Sequence, residues 1–315
     1  MSSPTPTIVG MSSGTYLRLL AFFLAPAVII YTLFSVYPLV ATIFNSFYSR
    51  NADGSSAWVG IGNFTTLLLD PTWSAPFWNA LQNNFLFFAI HMVVQNPIGL
   101  ALAAILSLPH LRMRAAYRTL IFMPTMLSVV IIGFTWQLIL SPLWGIAKLF
   151  LNTFGLGFLF APWLGEESSA LITISLISVW QFVGIPMILI YTALLAIPDE
   201  LIDAATVDGL NQFQAFIWVK LPLILPTIGL VSVLTFVNNF NAFDLIYAMK
   251  GALAGPNFAS DIMGTLFYRT FFGNQLQLGD LSMGSAVATM MFLVILIGVM
   301  IYLFVIQRRI QRYSF

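Results

Sequence analysis

The chain has 315 residues, 59% of them hydrophobic and 7% charged, against roughly 25% charged residues in an ordinary soluble domain, so the solvent it fits is lipid. Twelve Lys and Arg against eleven acidic residues, spread along the chain for a net charge of +1, leave no basic face to release counterions, which excludes nucleic acid as a partner. Cysteine is absent and the two histidines, His91 and His110, are isolated, which excludes disulfides and thiolate nucleophiles and makes a metal site poor.

Residues 1–16 open with a polar dozen, MSSPTPTIVGMS, predicted to be a disordered N-terminal tail. The apolar stretch from Leu17 past Tyr37 exceeds the roughly 7–15 residues of a signal-peptide core, and no small-residue cleavage site follows. It is expected to stay as an anchor. A membrane-crossing helix needs about 20 mostly apolar residues, and six such segments are predicted, at 17–42, 82–107, 117–141, 169–195, 223–249 and 282–306. Pro26, Pro38, Pro97, Pro124, Pro186 and Pro226 fall inside or at the ends of these spans, which neighbouring helices make tolerable by re-satisfying the freed backbone groups. The expectation is an all-α membrane protein, a six-span bundle over 17–307, with a basic tail at 308–315.

Between the first two spans lies 43–81, with the turn-rich NADGSS and an aromatic group of Trp58, Phe64, Trp73, Phe77 and Trp78, read as residues at the membrane interface. The second predicted span carries a polar stripe, Asn84, His91 and Gln95, at i, i+7 and i+11. Interhelical hydrogen bonding is the preferred reading there, and a solute path the alternative. The fifth carries Asn238, Asn239, Asn241 and Asp244. Polar groups at that depth are costly and turn toward a bundle interior, and amides both donate and accept, which suits hydroxyl-rich ligands. Asp244 is read as a structural or gating group.

Lys and Arg on alternate sides of the spans set the orientation. One side takes Arg18, Arg112, Arg114, Arg118, Lys220, Arg308, Arg309 and Arg312, the other Arg50, Lys148, Lys250 and Arg269. The first side is therefore predicted to be cytoplasmic, with both termini, the 108–116 loop and residues 197–222, leaving 43–81, 142–168 and 250–281 outside.

Residues 197–222, IPDELIDAATVDGLNQFQAFIWVKLP, are polar and acid-bearing between two apolar stretches, and far longer than the roughly 2–8 residues a bundle connection takes. Asp199 is placed to cap a short helix, with Glu200 and Asp203 near its positive end, and Gly209 to stop it. Leu201, Ala204, Ala205 and Asp208 fall on one narrow face. Phe213, Phe216, Ile217 and Leu221 make a second amphipathic stretch expected to lie against the bundle. The predicted shape is a helix–turn–helix elbow made to dock on a partner.

Asp203-Ala204-Ala205, Asp208-Gly209, Phe216 and Leu221-Pro222 resemble the EAA loop of bacterial ATP-binding-cassette importer permeases, whose pattern is Glu-Ala-Ala, three residues, Gly, then a hydrophobic segment ending in Leu-Pro. Here Asp203 replaces the usual Glu and shortens the acidic arm by one methylene. Pro38 with Asn45-Ser46-Phe47, VGIGNFTTLLLDP at 59–71, YRTLIFMP at 117–124 and FDLIYAM at 243–249 resemble the carbohydrate-importing branch, while KGALAGPN at 250–257 departs from its Gly-Gly-Pro. The resemblance implies a type I importer permease in a bacterial inner membrane. It also implies a second related permease, two copies of an ATPase carrying ATP and Mg²⁺, and an extracytoplasmic solute-binding protein. Glu200, Asp203, Ala204, Ala205, Asp208 and Gly209 would then belong to the coupling helix seated on the ATPase. Ser178, Trp180, Gln181 and Gly184 of the fourth span, with Asn238, Asn239 and Asn241, would lie on the path of a sugar-like solute. The chain itself carries no GxxxxGK[ST] phosphate loop, so no cofactor is expected on it and it is not expected to be an enzyme. The alternative is an ion-coupled secondary transporter, which would need embedded coupling carboxylates; Asp244 is the only acid within a predicted span.

Overall fold

A computed structural model describes residues 13–50, 55–108, 110–274 and 277–307. The expectations for 1–12, 51–54 and 308–315 lie outside the described residues, and the predicted tail is already helical at Ser13. Four helices are long and apolar enough to cross a membrane, Arg18–Asn45, Pro71–Leu106, Leu225–Lys250 and Leu281–Phe304. Two bent pairs, Arg114–Met126 with Val129–Ile139 at 93° and Glu167–Phe182 with Gly184–Leu195 at 41°, bring the number to six if each pair is one span. The second span starts at Pro71, earlier than predicted, because Asp70 caps it: its carboxylate accepts from the Thr72 amide at 2.9 Å, and Pro71 fits the first turn, where its missing N–H is not needed.

Three of the prolines leave a regular signature. Wide π-helical turns at Thr32–Val36, His91–Gln95 and Phe216–Lys220 each end two residues before a proline, at Pro38, Pro97 and Pro222. A proline ring clashes with the carbonyl four residues back and leaves it without a donor. Widening that turn by one residue relieves the clash while the helix continues.

One departure from an all-α reading is a small antiparallel pair, Tyr48–Arg50 with Ser56–Trp58, in the register Tyr48 to Trp58. Asn63 ties it to the bundle by donating to the Ser46 and Tyr48 carbonyls at 2.9 and 2.8 Å. Trp58 is exposed and stacks on Phe47, whereas Phe77, expected at the membrane interface, is fully buried with Leu67, Ala80, Met263, Leu266 and Val287. It lies in the helix that Asp70 starts early, on the face turned to the Met263–Phe272 helix and the last span.

The segment after the fifth span folds back as an ordered knot. Asn79 donates to the Phe258 carbonyl at 3.0 Å, and Asn83 to the Ala259 and Asp261 carbonyls at 3.2 and 2.8 Å. Fully buried Asp261 takes both ends of the Arg269 guanidinium at 2.5 and 2.6 Å and the Thr265 hydroxyl at 2.7 Å, while Arg269 also lies over the Phe258 ring. Burial pushes the Asp261 carboxyl above its ordinary range, and Arg269 and Thr265 oppose that push.

Candidate functional site

A cavity of about 380 Å³ opens between the second, fourth and fifth spans. Its polar lining is His91, Gln95, Ser178, Thr235, Asn238, Asn239, Asn241 and Asp244, on an apolar wall that includes Phe87, Phe182 and Ile185. Two irregularities aim these residues. The π turn sets His91 and Gln95 at its two ends, both buried on the inner side. The fifth span was predicted as one regular helix; it stops at Phe240 and resumes at Asp244. Asn238 and Asn239 lie side by side in the helix before the break, about 100° apart around its axis, and both reach the lining; Asn241 at the helix end and Asp244 at the start of the next helix join them from the far side of the break.

His91 Nδ1 lies 2.8 Å from the Phe87 carbonyl and Nε2 3.0 Å from the Ser178 hydroxyl. A carbonyl only accepts, so Nδ1 carries the proton and Nε2 accepts from Ser178. Asn239 donates through Nδ2 to the Thr235 carbonyl at 2.7 Å, and Asn241 to the Val237 carbonyl at 2.9 Å. Two buried acceptors in the lining, Gln95 Oε1 and Asn239 Oδ1, have no hydrogen-bond partner. Thr235 is a lining residue the sequence reading passed over; its position one turn before Asn239 is the signal that finds it.

The other residues singled out by sequence lie outside this lining. Asn84 is fully buried and joins elements, donating to the Asn239 carbonyl at 2.9 Å and accepting from the Met263 amide at 2.7 Å. Trp180 is 44% exposed and meets Trp136 edge to face. Gln181 donates to the Leu127 carbonyl at 3.3 Å from a fully buried position. Gly184 lets two spans approach: a Cβ there would stand 2.9 Å from the Phe122 Cα.

The elbow forms a second candidate surface. Its helix is Asp199–Val207. Pro198 takes the capping position and Asp199 makes no side-chain cap, contrary to expectation, because Asp199 already sits inside the first turn; there Asp199 and Glu200 still meet the positive end of the helix. Gly209 stops the helix with φ +83°, its amide donating to the Thr206 carbonyl at 3.0 Å and the Leu210 amide to Ala205 at 3.0 Å, the paired closure for which a left-handed glycine is suited. Asn211 and Gln214 then start the next helix by a reciprocal capping box, both bonds at 2.9 Å. Ala205 and Ala215 pack inward; Glu200, Asp203, Ala204, Asp208 and Gly209 are exposed, as is Val207 at 87%. Phe213 and Trp218 stand out at 74% and 72% exposed, so Phe213 does not lie against the bundle as expected. The small Ala215 faces inward instead, and Phe216 and Leu221 join the buried cluster of Met187, Ile190 and Ile224.

Apolar spans around one amide-lined cavity, with a polar elbow held outside them, define a membrane transport component. Residues 95–312 match the family described as "Binding-protein-dependent transport system inner membrane component". The chain belongs to that family and is a multi-pass inner-membrane protein. It is 30% identical over 276 residues to a probable ABC transporter permease protein, YurN, of Bacillus subtilis, covering 87% of this chain and 91% of the relative. It is 26% identical over 278 residues to the arabinooligosaccharides transport system permease protein AraP of the same organism, covering 87% and 84%. Its fold resembles that of a chain from the crystal structure of a bacterial ABC transporter involved in the import of the acidic polysaccharide alginate, with TM-score 0.77 and 22% identity over 94% of this chain and 96% of that one.

Proposed function

We propose that the chain is one permease subunit of an ATP-driven importer and forms the translocation path for a sugar or sugar-like solute by alternating access. The observation that carries this is the meeting of His91, Gln95, Ser178, Asn238, Asn239 and Asn241 on one cavity at a break in the fifth span. Amide and hydroxyl groups on an apolar and aromatic wall suit a ring with many hydroxyls. Relatives named for arabinooligosaccharides and for starch degradation products support the carbohydrate class.

The elbow at 197–222 is the coupling element. Glu200, Asp203, Ala204, Asp208 and Gly209 seat it on an ATPase subunit, the exposed acids offering charge and Ala204 and Gly209 a close approach, while the inward Ala205 holds the helix in place. With the elbow and both termini cytoplasmic, as the Lys and Arg asymmetry requires, closure of two ATPase subunits bearing ATP and Mg²⁺ would rock the spans. A second, related permease completes the path, and an extracytoplasmic solute-binding protein delivers the solute. The ion-coupled alternative is disfavoured by membership of a binding-protein-dependent family.

The test is to purify the chain with its partner subunits in lipid and measure ATPase activity over a panel of neutral mono- and oligosaccharides, polyols and glycosyl-glycerols. At least one carbohydrate is expected to stimulate hydrolysis; a flat response to all of them overturns the solute class.

A further inference from the structure

The enclosed part of the cavity is unbalanced in its hydrogen bonding. Three of the lining's N–H donors are spent on backbone carbonyls, His91 Nδ1 on Phe87, Asn239 Nδ2 on Thr235 and Asn241 Nδ2 on Val237, while the amide of Asn238 is exposed to the cavity. The Ser178 hydroxyl is engaged with His91 Nε2. The enclosed atoms of the lining that lack a partner are acceptors. Gln95 and Asn239 are each more than nine-tenths buried, and Gln95 Oε1 and Asn239 Oδ1 have no partner. The orientation of Asn239 is fixed by chemistry, since only its NH₂ end can donate to the Thr235 carbonyl.

The charge is equally one-sided. Asp244 is the only Asp, Glu, Lys or Arg in the lining, and no hydrogen bond or ion pair engages its carboxylate among the described residues. The two cations that follow in sequence are held elsewhere, Lys250 on the Leu164 carbonyl and Arg269 on Asp261. A negatively charged solute entering this space would lose water, meet open acceptors and face a like charge with no cation to offset it. A solute with many hydroxyls would instead supply the donors that two buried acceptors lack, and an unmet buried acceptor is costly.

We propose that this cavity admits solutes that bring hydrogen-bond donors and no negative charge, and that Asp244 is the specificity-determining residue that turns anionic sugars away. The proposal rests on the reading above that the cavity lies on the solute path, and it gives Asp244 a part in selection that the sequence pattern did not suggest.

The experiment uses the complete importer in proteoliposomes, with uptake of neutral oligosaccharides compared with uptake of uronic-acid oligosaccharides of matched length. The wild type is expected to carry its best neutral probe at least about tenfold faster than any uronate. Asp244→Asn is expected to narrow that ratio about tenfold, and Asp244→Glu to keep it. The binding protein is the same in all three preparations, so a changed ratio reports the cavity. Uronates carried as fast as neutral sugars, or a ratio unmoved by Asp244→Asn, overturns the proposal while leaving the solute-path reading intact. If Asp244→Asn fails to reach the membrane, Asp244→Ser takes its place and is judged by the same tenfold narrowing. Uptake of no carbohydrate at all overturns the carbohydrate reading and this inference with it.

Discussion

The elbow at 197–222 and the knot at 251–270 are both polar interruptions of an apolar chain, yet they are held together by opposite means. The elbow closes on itself. Its bonds run over three to five residues: Leu210 to Ala205, Gly209 to Thr206, Asn211 with Gln214. The knot is closed by distant residues, Asn79 to Phe258 across 179 positions and Asn83 to Asp261 across 178, around the buried Asp261–Arg269 pair. Local closure leaves a surface free to meet a partner, whereas distant closure fixes one element to another. The elbow should therefore tolerate damage to stability and suffer in function, and the knot the reverse.

Arg269→Met is the severest way to break that contrast. It leaves the Asp261 carboxylate buried without its cation, and a loss of about 3–5 kcal/mol is expected, read as a large fall in Tm of the detergent-purified protein. A loss no larger than that of any elbow variant would erase the distinction. Asn84→Leu strands the Met263 amide and leaves the Asn239 carbonyl only the Ala242 amide at 3.3 Å, so about 1–3 kcal/mol is expected in the same measurement. Gly209→Ala forces a side chain into the left-handed region at φ +83°, for about 1–2 kcal/mol. Asp203→Ala should abolish uptake while membrane levels and Tm stay near wild type; Gly209→Pro, which cannot adopt that φ and removes the amide that donates to Thr206, should abolish uptake too and lower Tm at least as far as Gly209→Ala, and undiminished uptake in either would remove the elbow from the coupling path. Asn211→Ala should be mildest, about 1 kcal/mol, seen as faster amide exchange over 211–215 with little change in global Tm.

The same contrast governs how much the sequence could tell. Four spans are legible because apolar length alone defines them, the bends of 93° and 41° within the other two predicted segments are not, and the elbow is legible because glycine and acidic residues act within a turn or two. Capping by Asn211 and Gln214 was equally local and available to read. The knot was not: Asp261 and Arg269 stand eight residues apart with nothing nearby to say that both would be buried. The cavity lies between these cases. Three asparagines announced the fifth span, but the pairing of His91 with Ser178 crosses 87 positions, and the break after Phe240 depends on packing. The stripe of Asn84, His91 and Gln95 looked like one face and divides its work, Asn84 joining elements while His91 and Gln95 line the cavity.

That division has a genetic counterpart in the π turn before Pro97. The wide turn is equivalent to one extra codon in the helix, and each residue of an α-helix turns the chain about 100°. Removing one codon between His91 and Gln95 would leave the span's composition almost untouched and rotate everything on one side of the cut by that angle against the other. The residues from Asn96 to Leu106, among them Gly99, whose added Cβ would already stand 3.0 Å from Pro186, would then present a different face to the fourth span. In this chain the reading frame of the helix faces is set ahead of Pro38, Pro97 and Pro222.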